Sequence, residues 1–160
     1  MKKIILSIVL LLGMVFSVMA QDTYEWKKYR IKATVPEGMQ ELQNDANGLV
    51  LAASNFTFGL TPFKNAKKLD KLTEEEIQQL VAEMCNEMKM ETANLDGGEF
   101  DCKNGEGIFF MSNFKEKEGW YALFSFVGSE TTNKYAVVAM CFEADLAELV
   151  DSILANIEFY

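Results

Sequence analysis

The most reactive side chains in this sequence belong to three cysteines, Cys85, Cys102 and Cys141. A thiolate can act as a nucleophile, bind a metal ion or form a disulfide, and the groups around it decide which of these it does. Cys102 stands in the stretch DCKNGEGIFF, beside acidic and amide side chains and a predicted tight turn. Its surroundings therefore make it the first candidate for chemistry in this chain.

Nucleophilic catalysis is poorly supported, because the chain contains no histidine. This removes the commonest general base, the usual zinc ligand and every Ser-His or Cys-His pair. No Cys-x-x-Cys spacing is present either, so a thioredoxin-type dithiol is not supported. We expect no catalytic residue, and two alternatives stay open: an enzyme that uses paired carboxylates, and a redox protein that uses Cys102.

Oxygen ligands are concentrated between positions 94 and 106, where acidic and amide residues suggest a calcium site. The EF-hand template fails from Asp101, since its third position is Lys103 and the required late glutamate is missing. The glycines of this region lie between predicted strands, whereas a phosphate-binding loop connects a strand to a helix. The sequence therefore predicts turn formation here, with no metal site and no cofactor.

A β-hairpin is predicted in the same stretch, with Asn104 and Gly105 as a two-residue turn. That turn places Cys102 on the same face as Phe100, Phe109 and Met111, which is an inward face. It also predicts three cross-strand pairs: Lys103 with Glu106, Cys102 with Gly107, and Phe100 with Phe109.

Two of the three thiols can pair if the protein is exported to an oxidising compartment. The preferred pairing is Cys85 with Cys102, because Cys85 lies on the buried stripe of a predicted helix that would pack on the inward face of the hairpin. Such a bond would add about 3 kcal/mol by restricting the unfolded chain. Cys102 with Cys141 is the runner-up pairing. Three reduced, buried thiols are the leading alternative to either disulfide, because free cysteine is commonly buried among apolar side chains.

Residues 1–20 read as an export signal, with two lysines at the start, an apolar run over residues 4–16 and small residues before Gln21. Position 21 is not cysteine, so lipid attachment is not expected. Retention of the apolar run as a membrane anchor is the alternative. The mature chain, residues 21–160, is predicted to be one exported domain, periplasmic or secreted, of a bacterial protein.

The mature domain carries 13 basic and 24 acidic residues, a net charge of −11 once the two signal lysines are removed. Nucleic acid is not expected as a partner, since binding to phosphates needs a basic surface. Anionic membrane surfaces are disfavoured for the same reason, and no stable membrane insertion is expected after signal cleavage.

Hydrophobic periodicity predicts an α+β domain in which an antiparallel sheet of six to seven strands packs with two helices, with a helix–sheet–helix sandwich as one arrangement. The first helix starts with Thr73 and Glu76 in capping-box spacing and carries an apolar stripe from Ile77 to Met88. The predicted strands are residues 24–35, 48–54, 55–63, 99–103, 106–114, 119–128 and 134–142, and the predicted helices are residues 74–90 and 144–156.

This order of elements resembles the PsbP-like family of small exported or organelle-lumen domains, which includes bacterial periplasmic proteins of the DcrB type. The resembling segments are YRIKATVPEGM, LTEEEIQQLVAEM, GWYALFSFV, KYAVVAMCF and LAELVDSILANIEF, which together span Tyr29 to Phe159. The resemblance implies an antiparallel sheet between helices and an accessory, non-catalytic role. It carries over no catalytic or ligand-binding residue.

The sequence therefore predicts a non-catalytic binding or accessory module of the cell envelope, whose partner is another envelope protein. Its many aromatic residues leave one alternative of another class, a carrier of a small apolar ligand held between sheet and helix.

We expect the protein recovered from a bacterial host to begin at Gln21, because the apolar run and the small residues before it form a cleavable signal. Intact-mass spectrometry of the envelope and culture fractions measures this directly. A Leu11→Arg variant, which interrupts the apolar run, should remain uncleaved inside the cell. Full-length protein in the membrane fraction would indicate an anchor instead.

Overall fold

The computed structural model describes residues 20–63 and 71–160; of the predicted signal segment, only Ala20 lies among them. In these ranges the chain forms ten strands and two helices, and a short 3-10 turn, Ala144–Leu146, precedes the second helix. The elements in chain order are β1 (Gln21–Trp26), β2 (Ile31–Pro36), β3 (Gln40–Asn44), β4 (Leu49–Ala52), β5 (Phe56–Pro62), α1 (Glu74–Glu87), β6 (Asp96–Cys102), β7 (Gly105–Asn113), β8 (Trp120–Ser129), β9 (Lys134–Glu143), α2 (Ala147–Ala155) and β10 (Glu158–Phe159).

A seven-stranded sheet in the order β3-β4-β5-β9-β8-β7-β6 forms the centre of the fold, and each neighbouring pair is antiparallel. It confirms the predicted antiparallel sheet. The two long strands β8 and β9 lie in its middle and are apolar on both faces. Strands of this composition need cover on both sides, since either face exposed to water would leave large apolar side chains unburied.

Helix α1 covers one face of this sheet. It begins as predicted, because the Thr73 hydroxyl accepts a hydrogen bond from the Glu76 N–H (3.3 Å) and the Glu76 carboxylate accepts one from the Thr73 N–H (2.9 Å). Its apolar stripe packs on the rings of Phe110, Phe124 and Phe126. The residues of the stripe in this contact are Leu80, Val81, Met84, Cys85 and Met88.

The opposite face is covered by α2 together with a separate three-stranded sheet in the order β1-β2-β10. From α2, Val150, Ile153 and Leu154 are buried in this larger core. Helices therefore lie on both faces, as in the predicted sandwich, but a small sheet shares the second face with α2.

We predicted one continuous strand over residues 24–35, and this prediction was wrong. The segment contributes to two strands, β1 and β2, which are joined by a turn. The chain reverses over residues 27–30, where the Tyr29 N–H donates to the Trp26 carbonyl and Arg30 adopts a left-handed φ of 54°. No glycine or proline marks this turn in the sequence. The rings of Trp26 and Tyr29 stack at 4.1 Å across it, so an aromatic contact accompanies the reversal.

The C-terminal strand β10 joins the two sheets, although the sequence did not predict it. It pairs with β2, and it also bonds to the turn of the β6–β7 hairpin. The Lys103 N–H donates to the Ile157 carbonyl (2.8 Å), and the Phe159 N–H donates to the Lys103 carbonyl (3.0 Å). The Asn104 side-chain amide adds a third hydrogen bond, to the Phe159 carbonyl (2.9 Å).

This junction corrects the predicted hairpin register. The two turn residues are Lys103 and Asn104 rather than Asn104 and Gly105, so that Cys102 faces Gly105. Asn104 takes the left-handed conformation (φ 61°), which asparagine tolerates better than most residues. In the observed register the backbone of Lys103 bonds to β10. The predicted faces are retained because the partner of Cys102 moves by two residues, from Gly107 to Gly105, and only an odd shift would exchange the faces.

We expect Gly105→Ala to lower the free energy of unfolding by about 1–3 kcal/mol, because the added methyl group has no space at this junction. A Cβ at position 105 would lie 2.5 Å from the Gly128 carbonyl oxygen and 2.9 Å from the Phe159 ring. Urea denaturation measures the change.

Gly59→Ala is the matched control for this substitution. It also lies inside a strand, but an added Cβ would stay 3.8 Å from the nearest atom, the Ala139 carbonyl oxygen. It should leave stability unchanged or raise it by up to about 1 kcal/mol. Equal destabilisation by both substitutions would show that the junction is not specially crowded.

Candidate functional site

All three cysteines are free thiols in the structure, and neither predicted disulfide is formed. Cys85 and Cys141 pack with the side chains between the sheet and α1. Cys102 packs with the core on the opposite face. The prediction that Cys102 faces inward was correct. However, α1 lies on the other side of the sheet, so the sheet separates Cys102 from Cys85 and from Cys141.

The surroundings of Cys102 do not activate it. Burial, together with the negative charges of Asp101 and Glu106, raises the pKa of its thiol to about 11. Burial also raises the pKa of Cys85 and of Cys141. A reactive cysteine needs a lowered pKa, usually from a nearby positive charge or a helix N-terminus, so these thiols lack the environment of a nucleophile.

A cleft of about 490 Å³ lies between the start of α1 and the end of the sheet formed by β6, β7, β8 and β9. This volume lies within the range of ligand-binding pockets. Four carboxylates surround it, and we call them the rim carboxylates: Glu99, Asp101, Glu106 and Glu130. Apolar surface from Ile77, Ile108 and Tyr135 lines the same cleft, which we call the acidic cleft.

The strand register explains how these residues come together. One rung across four strands reads Asp101–Glu106–Gly128–Tyr135, and the next rung begins with Glu99–Ile108. All of these positions lie on the face of the sheet that carries α1, because Ile108 packs in the same cluster as that helix. Ile77, the first residue of the predicted apolar stripe of α1, closes the cleft from the helix side.

Gly128 lies in the middle of the cleft lining. It stands between Glu106 and Tyr135 in the first rung, and the Tyr135 ring leans over its backbone. A Cβ on residue 128 would lie only 2.5 Å from the Tyr135 ring, so only glycine fits beneath it. The Tyr135 hydroxyl oxygen is buried and has no hydrogen-bond partner.

The acidic cleft concentrates negative charge. Asp101 and Glu106 face each other directly across the β6–β7 pair, where like charges destabilise a sheet. Within the described residues, no side chain forms an ion pair with any rim carboxylate, and no lysine or arginine lines the cleft. The predicted Lys103–Glu106 charge pair is therefore replaced by a repulsive carboxylate pair.

Neither a metal site nor a membrane span is found in the described ranges. No three Asp, Glu or Cys side chains there lie close enough together to hold a metal ion, and the acidic residues considered for calcium are spread along β6 and β7. No helix in residues 20–63 or 71–160 is long and apolar enough to cross a bilayer.

Part of the acidic cleft could be foreseen from the sequence. Glu99 and Asp101 alternate along a predicted strand, which places both carboxylates on one face. The sequence does not predict that Glu130, Tyr135 and Ile77 also line the cleft. These residues come together only through the register of β8 and β9 and the placement of α1.

The fold is that of a PsbP-like α+β protein, which confirms the resemblance drawn from the sequence at the level of architecture. The solution structure of cyanobacterial PsbP (CyanoP) from Synechocystis matches with a TM-score of 0.58 at 12% identity, over 91% of this chain and 96% of that chain. The crystal structure of the Ran-binding protein Mog1p from Saccharomyces cerevisiae matches with a TM-score of 0.53 at 11% identity, over 89% and 86% of the two chains. No protein family model and no curated protein sequence match the chain.

Cys102 should react with a polar thiol reagent about 100-fold more slowly at pH 8 than a solvent-exposed cysteine of ordinary pKa 9.0, because a pKa near 11 leaves far less thiolate. Its rate should rise with pH until about pH 11. The measurement is the time course of labelling, with Cys102→Ser identifying the contribution of this residue.

The same reagent should label three thiols per chain in urea without reductant, since all three are free in the structure. A count of one would reveal a disulfide. Rapid labelling of native Cys102 at neutral pH would restore it as a candidate redox residue.

Proposed function

We propose that this protein is an exported, non-catalytic accessory module that acts by binding another protein of the cell envelope through its acidic cleft. The observation that carries the proposal is the set of four rim carboxylates around an apolar floor. All four are solvent-exposed, and none forms an ion pair with another residue of the ranges 20–63 and 71–160. A surface of this kind combines charge for orientation with apolar area for affinity, as binding sites commonly do.

The comparisons support a binding role in general terms. Mog1p, which has this fold, is named as a Ran-binding protein. The partner of the present chain is proposed on the chemistry of its own cleft, since the identity to both solved structures is too low to transfer a partner.

A carboxylate enzyme is less well supported. A carboxylic acid that donates a proton near neutral pH is usually desolvated, as in a hydrophobic pocket. Each rim carboxylate is instead exposed to solvent.

A carrier of a small apolar ligand is the second candidate, and one observation favours it. The acidic cleft lies between sheet and helix, where such a ligand was expected, and it has an apolar floor at Ile77 and Ile108. Four carboxylates at the rim do not suit a wholly apolar ligand, because their desolvation would be uncompensated. Native mass spectrometry of protein from its own source would detect a bound apolar molecule and would then favour this second function.

Site-specific photo-crosslinking in the native host tests the binding role. A photoreactive amino acid at position 99 or 130 should yield an adduct with one envelope protein, because both positions lie on the rim of the acidic cleft. Mass spectrometry identifies the adduct.

Position 151 is the matched control for this experiment. Asp151 is also an exposed acidic residue, but it lies on α2, on the opposite face of the sheet. Adducts from position 151 as frequent as those from the rim would exclude the acidic cleft as the binding site. Substrate turnover by the purified protein would exclude a purely accessory role.

A further inference from the structure

We infer that the acidic cleft recognises an arginine side chain within a short basic and aliphatic segment of the partner protein. This inference rests on the proposed function and specifies the chemistry of the segment that is bound. It starts from the like-charge pair of Asp101 and Glu106, which face each other across two paired strands with Glu99 two positions away on the same face. A cation placed between them would relieve their repulsion as well as gain attraction, so charge complementarity favours a positively charged ligand.

The apolar floor indicates what kind of cation fits. Ile77, Ile108 and the Tyr135 ring line the same cleft as the carboxylates. A bare metal ion would gain nothing from this surface, and no described group of ligands is arranged to hold one. A cation on a methylene stem would use both parts, with its stem against the isoleucines and its charged end at the rim.

Arginine suits this arrangement better than lysine. Its planar guanidinium can donate to two carboxylates at once, and it stacks favourably on aromatic rings. Asp101 and Glu106 provide two carboxylates in one rung, and Tyr135 ends the same rung with an aromatic ring. Glu130 lies on the far side of the cleft, after the end of β8, where it can meet a second basic residue of the same segment.

The test is direct binding of a fluorescein-labelled peptide of alternating arginine and leucine to the purified mature protein, measured by fluorescence anisotropy. Binding should weaken about tenfold between 50 and 300 mM NaCl, because the contacts are partly exposed and therefore screened. A lysine peptide should bind more weakly. A peptide with diaminobutyrate in place of arginine, which keeps most of the charge on a shorter stem, should bind more weakly still.

Asp101→Asn with Glu106→Gln should reduce affinity for the arginine peptide by about tenfold or more, since the central carboxylates are lost. Glu148→Gln with Asp151→Asn removes the same charge from exposed positions on α2 and should change affinity less than twofold. The first double variant should also resist urea at least as well as the parent protein, because the repulsive pair is removed. This second readout separates loss of a binding group from loss of structure.

Four results would overturn the inference. Equal binding to the parent protein and to the Asp101→Asn, Glu106→Gln variant would overturn the inference, as would equal affinity for the arginine and diaminobutyrate peptides. If spermine binds through the same two carboxylates and the arginine peptide does not, the ligand is a small polyamine and the inference fails. Failure of the peptide to bind while a rim crosslink to an envelope protein persists would overturn the arginine inference alone and leave the proposed function standing.

Discussion

The burial of β8 and β9 on both faces is the constraint on which the rest of this structure depends. These two ten-residue strands hold large apolar side chains on each side, including Phe124 and Phe126 towards α1 and Leu123 and Val127 towards the other core. At roughly 1.5–3 kcal/mol for each large side chain removed from water, neither face can be left open. The chain therefore needs two covering layers, which α1 supplies on one side and α2 with the three-stranded sheet on the other.

The second layer is fastened to the central sheet at two places far apart in the sequence. At one end, β10 bonds to the backbone of Lys103 in the β6–β7 turn. At the other end, the Tyr24 hydroxyl donates to the Met39 carbonyl and the Trp26 indole donates to the Asp45 carbonyl, both at 2.7 Å. The first of these junctions includes the turn residues Lys103 and Asn104, and in the same register Asp101 lies opposite Glu106 in the acidic cleft.

The like-charge pair of Asp101 and Glu106 is an unfavourable cross-strand contact in a sheet that also has favourable ones. Most cross-strand neighbours here are favourable, such as the stacked rings of Phe110 and Phe124 at 5.1 Å. Departures from such consistency tend to occur at functional positions, where stability is exchanged for binding. The thiols, by contrast, have the properties of packing residues. Cys102 lies on the inner face of the sheet, and the pKa of its thiol is raised. The binding that we propose therefore depends on carboxylates, which the sequence suggested as calcium ligands and then as turn residues, and not on the cysteines.

Local patterns were sufficient to predict the elements whose residue spacing or composition is distinctive. The capping box of Thr73 and Glu76, the apolar stripe of α1 and the long strands β8 and β9 were all read from spacing and composition, because their periodicity is strong. Strand β3 was missed, since its sequence QELQN is polar and its residues are mostly exposed at the edge of the sheet. The alternation of Cys102 with its neighbours predicted the correct face, since side-chain alternation is a property of the strand itself. Which helix lies on that face, where the β6–β7 turn falls, and which distant residues complete the acidic cleft were decided only by tertiary contacts. These depend on pairing between segments far apart in the chain, such as Lys103 with Ile157 and Phe159, and no local pattern encodes such pairings.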